Sequence, residues 1–352
     1  METMYDYCYE QPAVLRSILE GRKENTAPFV QKLRACRADR LYLIASGSSL
    51  NAACAAAPFM MEALGMDVLA CAASDVPPLH GERPLALYIS QGGNSTNTIA
   101  AIERMDCDKL ALIGTETGRI REICESMMIP CGEEKAGPKT KGYTASVLIL
   151  CLMALEAALA TRAMGEARYA EIVGEYAKAF AGLEQSLAQT ERWYERNRDA
   201  LDAMRTCVVI GKNTGYQVAR EAALKMLETI LVPSSSYEFE EYLHGPAMAT
   251  NAEMGGFYLL PGADDPDCER IRALARVHRS ISPAVFLIGG EPETEQDLAI
   301  GVEDAWYARV YSWLLPCQLL SALLPQHKGI AGKGSQMFGK LNEALHIKYK
   351  KD

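Results

Sequence analysis

The sequence has no Cys-x-x-Cys pair and no cysteine–histidine group at zinc spacing, so zinc ribbons, zinc fingers and thioredoxin-type redox sites are not expected. Its eleven cysteines are odd in number and irregularly spaced, and most sit in apolar strings, as at Cys54, Cys71, Cys151, Cys207 and Cys317. That pattern suits reduced core thiols and predicts a cytoplasmic protein. A secretory signal is missing, because the start METMYDYCYE carries acids where a basic region belongs. No uninterrupted apolar run reaches the ~18–20 residues of a membrane span. The best candidate, SVLILCLMALEAALA, is broken by Glu156 and reads as a buried helix, so no membrane is expected. Basic charge is also short: 36 Lys and Arg against 45 Asp and Glu leave a net charge of −9, which speaks against nucleic acid as a partner. Small anions stay in play, since a helix N-terminus binds one phosphate whatever the global charge. The G-x-G-x-x-G fingerprint is missing, because Gly47 is followed by Ser-Ser-Leu-Asn-Ala, and the Walker A spacing is missing too. With no cluster of hard oxygen ligands or imidazoles, neither metal nor cofactor is expected.

What the 352 residues do contain is a pattern of short apolar strands alternating with helices, given twice. In the first half LYLIAS leads through Gly47-Ser48-Ser49 into a helix. LALYIS and KLALIG follow as further strands, and a long apolar helix closes the half. In the second half TCVVIG leads through Lys212-Asn213-Thr214-Gly215 into a helix, then GGFYLLP and AVFLIGG, then another long helix. Such alternation predicts parallel sheets covered on both faces. The expected fold is α/β, with two tandem doubly wound parallel-sheet modules (flavodoxin-like, three-layer) between a helical N-terminal arm and a C-terminal tail. The expected boundaries are 1–35 for the arm, 36–164 for the first module, 165–204 for a helical linker, 205–325 for the second module and 326–352 for the tail. The tail is polar and glycine-rich, either a disordered end or a segment that folds over a site.

Ligands of open parallel sheets bind beyond the carboxyl ends of the strands. Three hydroxyl-rich segments of the first half fall at such positions: Ser46-Gly47-Ser48-Ser49, the run Ser90-Gln91-Gly92-Gly93-Asn94-Ser95, and Thr140-Lys141 before the long helix. Glycine lets an anion approach the backbone, and hydroxyls and helix N–H groups donate to its oxygens. A single serine-rich turn would read as a helix cap. Two of them at equivalent strand ends point to a compact phosphate monoester.

These residues resemble the sugar isomerase (SIS) family, in particular double-SIS proteins such as the isomerase half of glucosamine-6-phosphate synthase and the fructosamine-6-phosphate deglycases. Glu10-Gln11-Pro12 resembles the family's E-Q-P opening, ASGSSLNA (45–52) its first phosphate turn, and Ser90 to Ser95 its S-Q-S-G-E-T turn. In the second half Glu221 to Glu228 resembles E-G-A-L-K-L-K-E, and Glu241-Tyr242-Leu243-His244-Gly245-Pro246 resembles E-L-K-H-G-P. The sequence departs from the family at Gly92, where the pattern has serine, and at Asn94, where it has an acid. No glutamine-hydrolysing domain is expected ahead of the arm, so the resemblance implies no source of ammonia here.

Glu221, Lys225 and Glu228 stand at i, i+4 and i+7 and share one helix face. Such a stripe is ordinarily a solvated ion-pair row, but Ala222, Leu224 and Leu227 make this helix apolar around it. The resemblance implies Glu228 as the base that moves a proton between C1 and C2. Lys225 is expected to stabilise the developing enolate or to orient Glu228, and Glu221 is a candidate substrate-binding residue. Of the five histidines (His80, His244, His278, His327, His346), the resemblance selects His244, with Glu241 nearby, as the ring-opening group supplied to a neighbouring subunit. It further implies that the tail brings a lysine, Lys340 or alternatively Lys333, to the reacting carbons. The resulting expectation is an aldose–ketose isomerase or deglycase acting on a ketose or fructosamine 6-phosphate as a homodimer with shared sites. An amino-sugar-phosphate deaminase uses the same residues. The alternative from another class is a non-catalytic sugar-phosphate sensor, although no basic segment is present to form a DNA-binding domain.

Overall fold

The computed structural model describes residues 3–302 and 304–350. The arm forms α1 (Met4–Glu20) and α2 (Arg22–Cys36). There follow β1 (Arg40–Ala45), α3 (Ser48–Leu64), β2 (Asp67–Ala72), β3 (Pro84–Ser90), α4 (Thr96–Arg104), β4 (Asp108–Ile113), α5 (Arg119–Ile123), β5 (Ser126–Met128) and the long α6 (Lys141–Thr161). Helices α7 (Glu166–Ala181) and α8 (Leu183–Ala203) lead to β6 (Thr206–Gly211), α9 (Thr214–Thr229), β7 (Ser234–Glu238) and α10 (Phe239–Leu243). Then come β8 (Met254–Leu259), α11 (Cys268–Arg279), β9 (Val285–Ile288) and α12 (Arg309–His327), and finally α13 (Lys333–Leu345). The chain divides into two compact units drawn from non-contiguous stretches. One holds 13–135, 141–177 and 337 onward; the other holds the residues up to 12, 136–140 and 178–336.

Both sheets are parallel throughout. The first has the order β2-β1-β3-β4-β5, the flavodoxin-like winding, and the second, β7-β6-β8-β9, reverses direction at the same relative place. Strands β1, β3 and β4 are buried along almost their whole length, as interior strands of a sheet covered by helices must be. In the first-sheet unit, α6 packs on α3 and α2. It is long and apolar enough to cross a membrane, but every residue from 141 to 158 is buried in the structure, the expected fate of a helix that is apolar all round. Glu156, which interrupts it, accepts a hydrogen bond from Tyr169 and pairs with Arg22 at 3.3 Å. All eleven cysteines are free thiols, and burial pushes Cys151 and Cys317 up to about 12.

Two elements of the second sheet's unit carry no plain signal in the sequence. The run Ser234-Ser235-Ser236, serine-rich as a turn would be, is the start of β7, paired in parallel with β6 from Cys207↔Ser234 to Gly211↔Glu238. As an edge strand it needs no apolar run, and its pairing is set by tertiary context that propensity does not register. The run before His244 is the short helix α10, whose N-cap Glu238 accepts from the N–H groups of Glu240 (2.7 Å) and Glu241 (3.2 Å).

His278 is 2% exposed, with Nδ1 2.9 Å from the Tyr258 hydroxyl and Nε2 3.1 Å from the Met254 carbonyl oxygen. Burial lowers its pKa from 6.5. Below pH ~6.5 the unfolded chain therefore takes up a proton that the folded chain resists. Stability is full above that pH and falls as pH drops, until the folded imidazole is protonated too. The contribution of one proton is at most about 1.4 kcal/mol per pH unit. Urea midpoints at pH 7.5, 6.5 and 5.5 should decline for the native chain and decline less for His278→Gln; equal slopes would remove His278 from the account.

Candidate active site

In the first-sheet unit the two serine turns close adjacent strands, since β1 pairs directly with β3. Ser46 follows β1, and its hydroxyl accepts from Asn97 Nδ2 of α4 at 2.7 Å, which ties the two turns together. Gly47 turns the chain into α3 at φ +58°, and the space where its side chain would stand is open. Ser48 and Ser49 open α3, so the first-turn N–H groups, which have no intrahelical acceptor, face the end of the sheet. Across the corner Ser90 is buried at the end of β3, and Gly92 is exposed. Gln91 Nε2 donates to the Gly142 carbonyl at 2.6 Å and to the Ser146 hydroxyl at 2.8 Å, fixing the start of α6, where Lys141 is buried. Ser95 is the N-cap of α4, but its side chain makes no capping hydrogen bond, and α3 has no side-chain cap either. These serines therefore do not cap the two helices through a side-chain hydrogen bond.

In the second-sheet unit, Glu221, Lys225 and Glu228 line one face of α9 as their spacing predicts. Glu221 and Lys225 are buried at 0% and 1% exposure. Lys225 Nζ lies 3.4 Å from Glu221 Oε1 and 2.5 Å from Glu228 Oε2, whose side chain is 39% exposed. Burial pulls the Lys225 pKa down, but the Glu221 and Glu228 carboxylates outweigh it and hold it above the ordinary lysine value. The ammonium is thus fixed, charged and aimed at the outer carboxylate. A solvated ion-pair stripe would not bury two of its three members.

Helix α9 leaves the carboxyl end of β6 and returns to the amino end of β7, so Glu228 in its last turn stands at the amino edge of the second sheet. His244 lies beyond the carboxyl end of β7, exposed just past α10. Strand β7 alone spans roughly 13 Å at ~3.3 Å per residue, so within this unit the two side chains are at opposite edges. Glu241 is exposed on α10. The same unit holds Thr140, fully buried, whose carbonyl oxygen accepts from Gln318 Nε2 at 3.3 Å; Gln318 Oε1 in turn accepts from Gln11 Nε2 at 3.0 Å. Gln11 of the Glu10-Gln11-Pro12 opening is thereby linked to the Thr140 segment.

No family model matches the chain. Glutamine–fructose-6-phosphate aminotransferase (isomerizing) of Oceanobacillus iheyensis is 30% identical over 247 residues, covering 67% of this chain and 41% of that protein. The Streptococcus pneumoniae protein of that name is 26% identical over 340 residues, covering 91% of this chain and 55% of its own length. This chain therefore spans about half the length, or less, of these curated relatives. A crystal structure described as a candidate phosphosugar isomerase from Clostridium difficile superposes with a TM-score of 0.86 at 27% identity, over 94% of this chain and 95% of that one. The chain belongs to the sugar isomerase (SIS) family.

The SIS resemblances noted in the sequence fall on the strand-end turns of the first sheet and on α9 and α10 of the second. The tail is folded. Lys333 and Lys340 are both exposed on α13. At Gly334 a side chain would stand 2.0 Å from the Glu228 carbonyl oxygen, so only glycine lets the tail lie against the end of α9. Outside the SIS motifs, sequence reasoning missed Asn97, Ser146 and Gln318, which hold the site segments, and Lys348, which donates to Ser95 at 2.8 Å. Asn97 is a polar residue at a helix start, a signal shared with ordinary caps, and Ser146 lies in the second turn of α6 with nothing local to mark it. Lys348 has no sequence signal, because its contact joins residues 253 apart. An open depression bounded by Asp39, Met61 and Asp67 lies at the amino edge of the first sheet, the edge opposite the serine turns.

Proposed function

We propose that this SIS protein is a phosphosugar-processing enzyme of the aldose–ketose isomerase or deglycase type. It acts at C1 and C2 of a ketose or fructosamine 6-phosphate. The observation that carries the reading is the buried Glu221–Lys225 pair holding a charged ammonium against the half-exposed Glu228 carboxylate.

In this reading the turns at Ser46–Ser49 and Ser90–Ser95, with Thr140 and Lys141, bind the substrate and its phosphate. Glu228 removes the C1 proton, the C1–H electron pair becomes the C1=C2 bond, and the C2 oxygen takes up negative charge. Returning the proton to C2, while the O1 hydroxyl proton passes to O2 and C1 becomes the carbonyl, yields the aldose. With a 1-amino ketose the same transfer gives the C1 imine, which water hydrolyses to aldose phosphate and free amine. A positioned acid or base of this kind is worth roughly 10²–10⁴-fold. Lys225 stays protonated, orients Glu228 and offsets the negative charge that develops. His244 opens the sugar ring. Its place at the edge of the sheet opposite Glu228 supports the view that it serves the site of a second copy, in a homodimer with shared sites. The Gly334 contact supports a tail that closes near α9, with Lys340 the lysine it carries.

Calorimetry with fructose 6-phosphate and with fructose tests the phosphate assignment. The phosphate ester should bind and fructose should not; equal affinity would remove the phosphate role from both serine turns. A turnover screen over fructose 6-phosphate, glucosamine 6-phosphate and fructosamine 6-phosphates, reading released amine and sugar product together, separates isomerase, deaminase and deglycase.

A further inference from the structure

The last described residues of the chain form a strap across the second serine turn. Ile347 to Tyr349 runs antiparallel to Asn94 to Thr96. The Thr96 N–H and hydroxyl both donate to the Ile347 carbonyl, at 3.1 and 3.0 Å, and the Tyr349 N–H donates to the Asn94 carbonyl at 2.7 Å. Between them the Lys348 ammonium donates to the Ser95 hydroxyl oxygen at 2.8 Å. We propose that Lys348 is a substrate-binding residue, the cation that meets the phosphate at this turn. The inference rests on the phosphate reading of the serine turns given above.

The chemistry follows from donor counting. The strap takes up two donors at the start of α4, the Thr96 N–H and hydroxyl, that an anion would otherwise use. In exchange it brings a full positive charge. An ammonium only donates, so Ser95 Oγ is the acceptor, and the serine keeps its own proton to give to a ligand. Ammonium and hydroxyl 2.8 Å apart form a two-donor pair suited to neighbouring oxygens of one phosphate. The turn also departs from its family where these changes matter. Gly92 has no hydroxyl to give, and a lysine makes good that loss. Asn94 replaces an acid, so the turn carries no carboxylate of its own to compete for the ammonium, and its Oδ1 instead accepts from the Arg119 N–H at 2.9 Å. A purely mechanical role is a weaker account, because three hydrogen bonds to Asn94 and Thr96 already hold the strap.

The experiment compares the native chain with Lys348→Met and Lys348→Arg by calorimetry, using fructose 6-phosphate, inorganic phosphate and fructose. Removing one charge-assisted contact should weaken fructose 6-phosphate and phosphate binding by roughly 10- to 100-fold in the methionine variant. Arginine should restore most of it, and fructose should respond to neither change. If the native chain prefers the ester and Lys348→Met binds it equally well, Lys348 only ties the strap and the proposal falls while the phosphate reading stands. If the native chain itself does not distinguish ester from fructose, both fall together.

Discussion

Replacing Glu228 with glutamine should cut turnover by roughly 10²–10⁴-fold, the usual worth of a positioned base, while the sugar phosphate still binds with nearly native affinity. The amide keeps the shape of the side chain and still accepts a hydrogen bond from Lys225, 2.5 Å away in the native protein, so the helix face is preserved. What it loses is the capacity to take a proton from carbon. Glu221 stays 3.4 Å from the buried Lys225 as its counter-charge, so losing the outer carboxylate does not leave the ammonium unpaired and the fold should persist. Lys225 would be a poorer target for the same question. Removing it leaves Glu221 buried without its counter-charge, at a cost of about 3–5 kcal/mol, and unfolding would mask any effect on chemistry. Single-turnover rates beside calorimetric affinities decide the matter. Native turnover in Glu228→Gln on a verified substrate would move the chemistry elsewhere.

Mixing two inactive chains should restore activity. If His244 serves the site of a second copy, a Glu228→Gln chain paired with a His244→Ala chain has one doubly damaged site and one intact site. Random exchange then makes half the dimers mixed, and activity recovers to about a quarter of native in a two-fold assembly. The motive is topological: α9 ends at the amino edge of the second sheet, and α10 begins at its carboxyl edge. Light scattering establishes the dimer, and activity is followed against mixing ratio. Confirmed mixed dimers that stay inactive would show that each chain contains its own site, and His244 would lose its assigned role.

Much of this was legible in the sequence because the signals were local. TCVVIG is β6 to the residue, and the i, i+4, i+7 spacing of Glu221, Lys225 and Glu228 placed them on one face of α9. Interior strands announce themselves by unbroken apolar runs. Two edge strands did not: β2 is only partly buried, and β7 is largely serine, so each takes its conformation from the neighbour it pairs with. The contacts that hold the site segments were equally hidden. Asn97 on Ser46, Gln318 on Thr140 and Lys348 on Ser95 join residues 51, 178 and 253 apart, and nothing in the local pattern of either partner requires the other.

The strand-to-helix corners of the two sheets differ in an instructive way. Gly47 has φ 58° and ψ −134°, and Asn213 has φ 52° and ψ −123°, so the backbone bends almost identically at both. At the second corner, however, Lys212 is held by Asp265 at 2.8 Å and Asp267 at 2.6 Å. That corner carries its own anions, covalently supplied, and has no appetite for another. The two corners thus share a backbone shape but not a charge environment. On the proposed reading, only the first helix start holds a phosphate and α9 is left to proton transfer, a division of labour between two like-shaped halves of one chain.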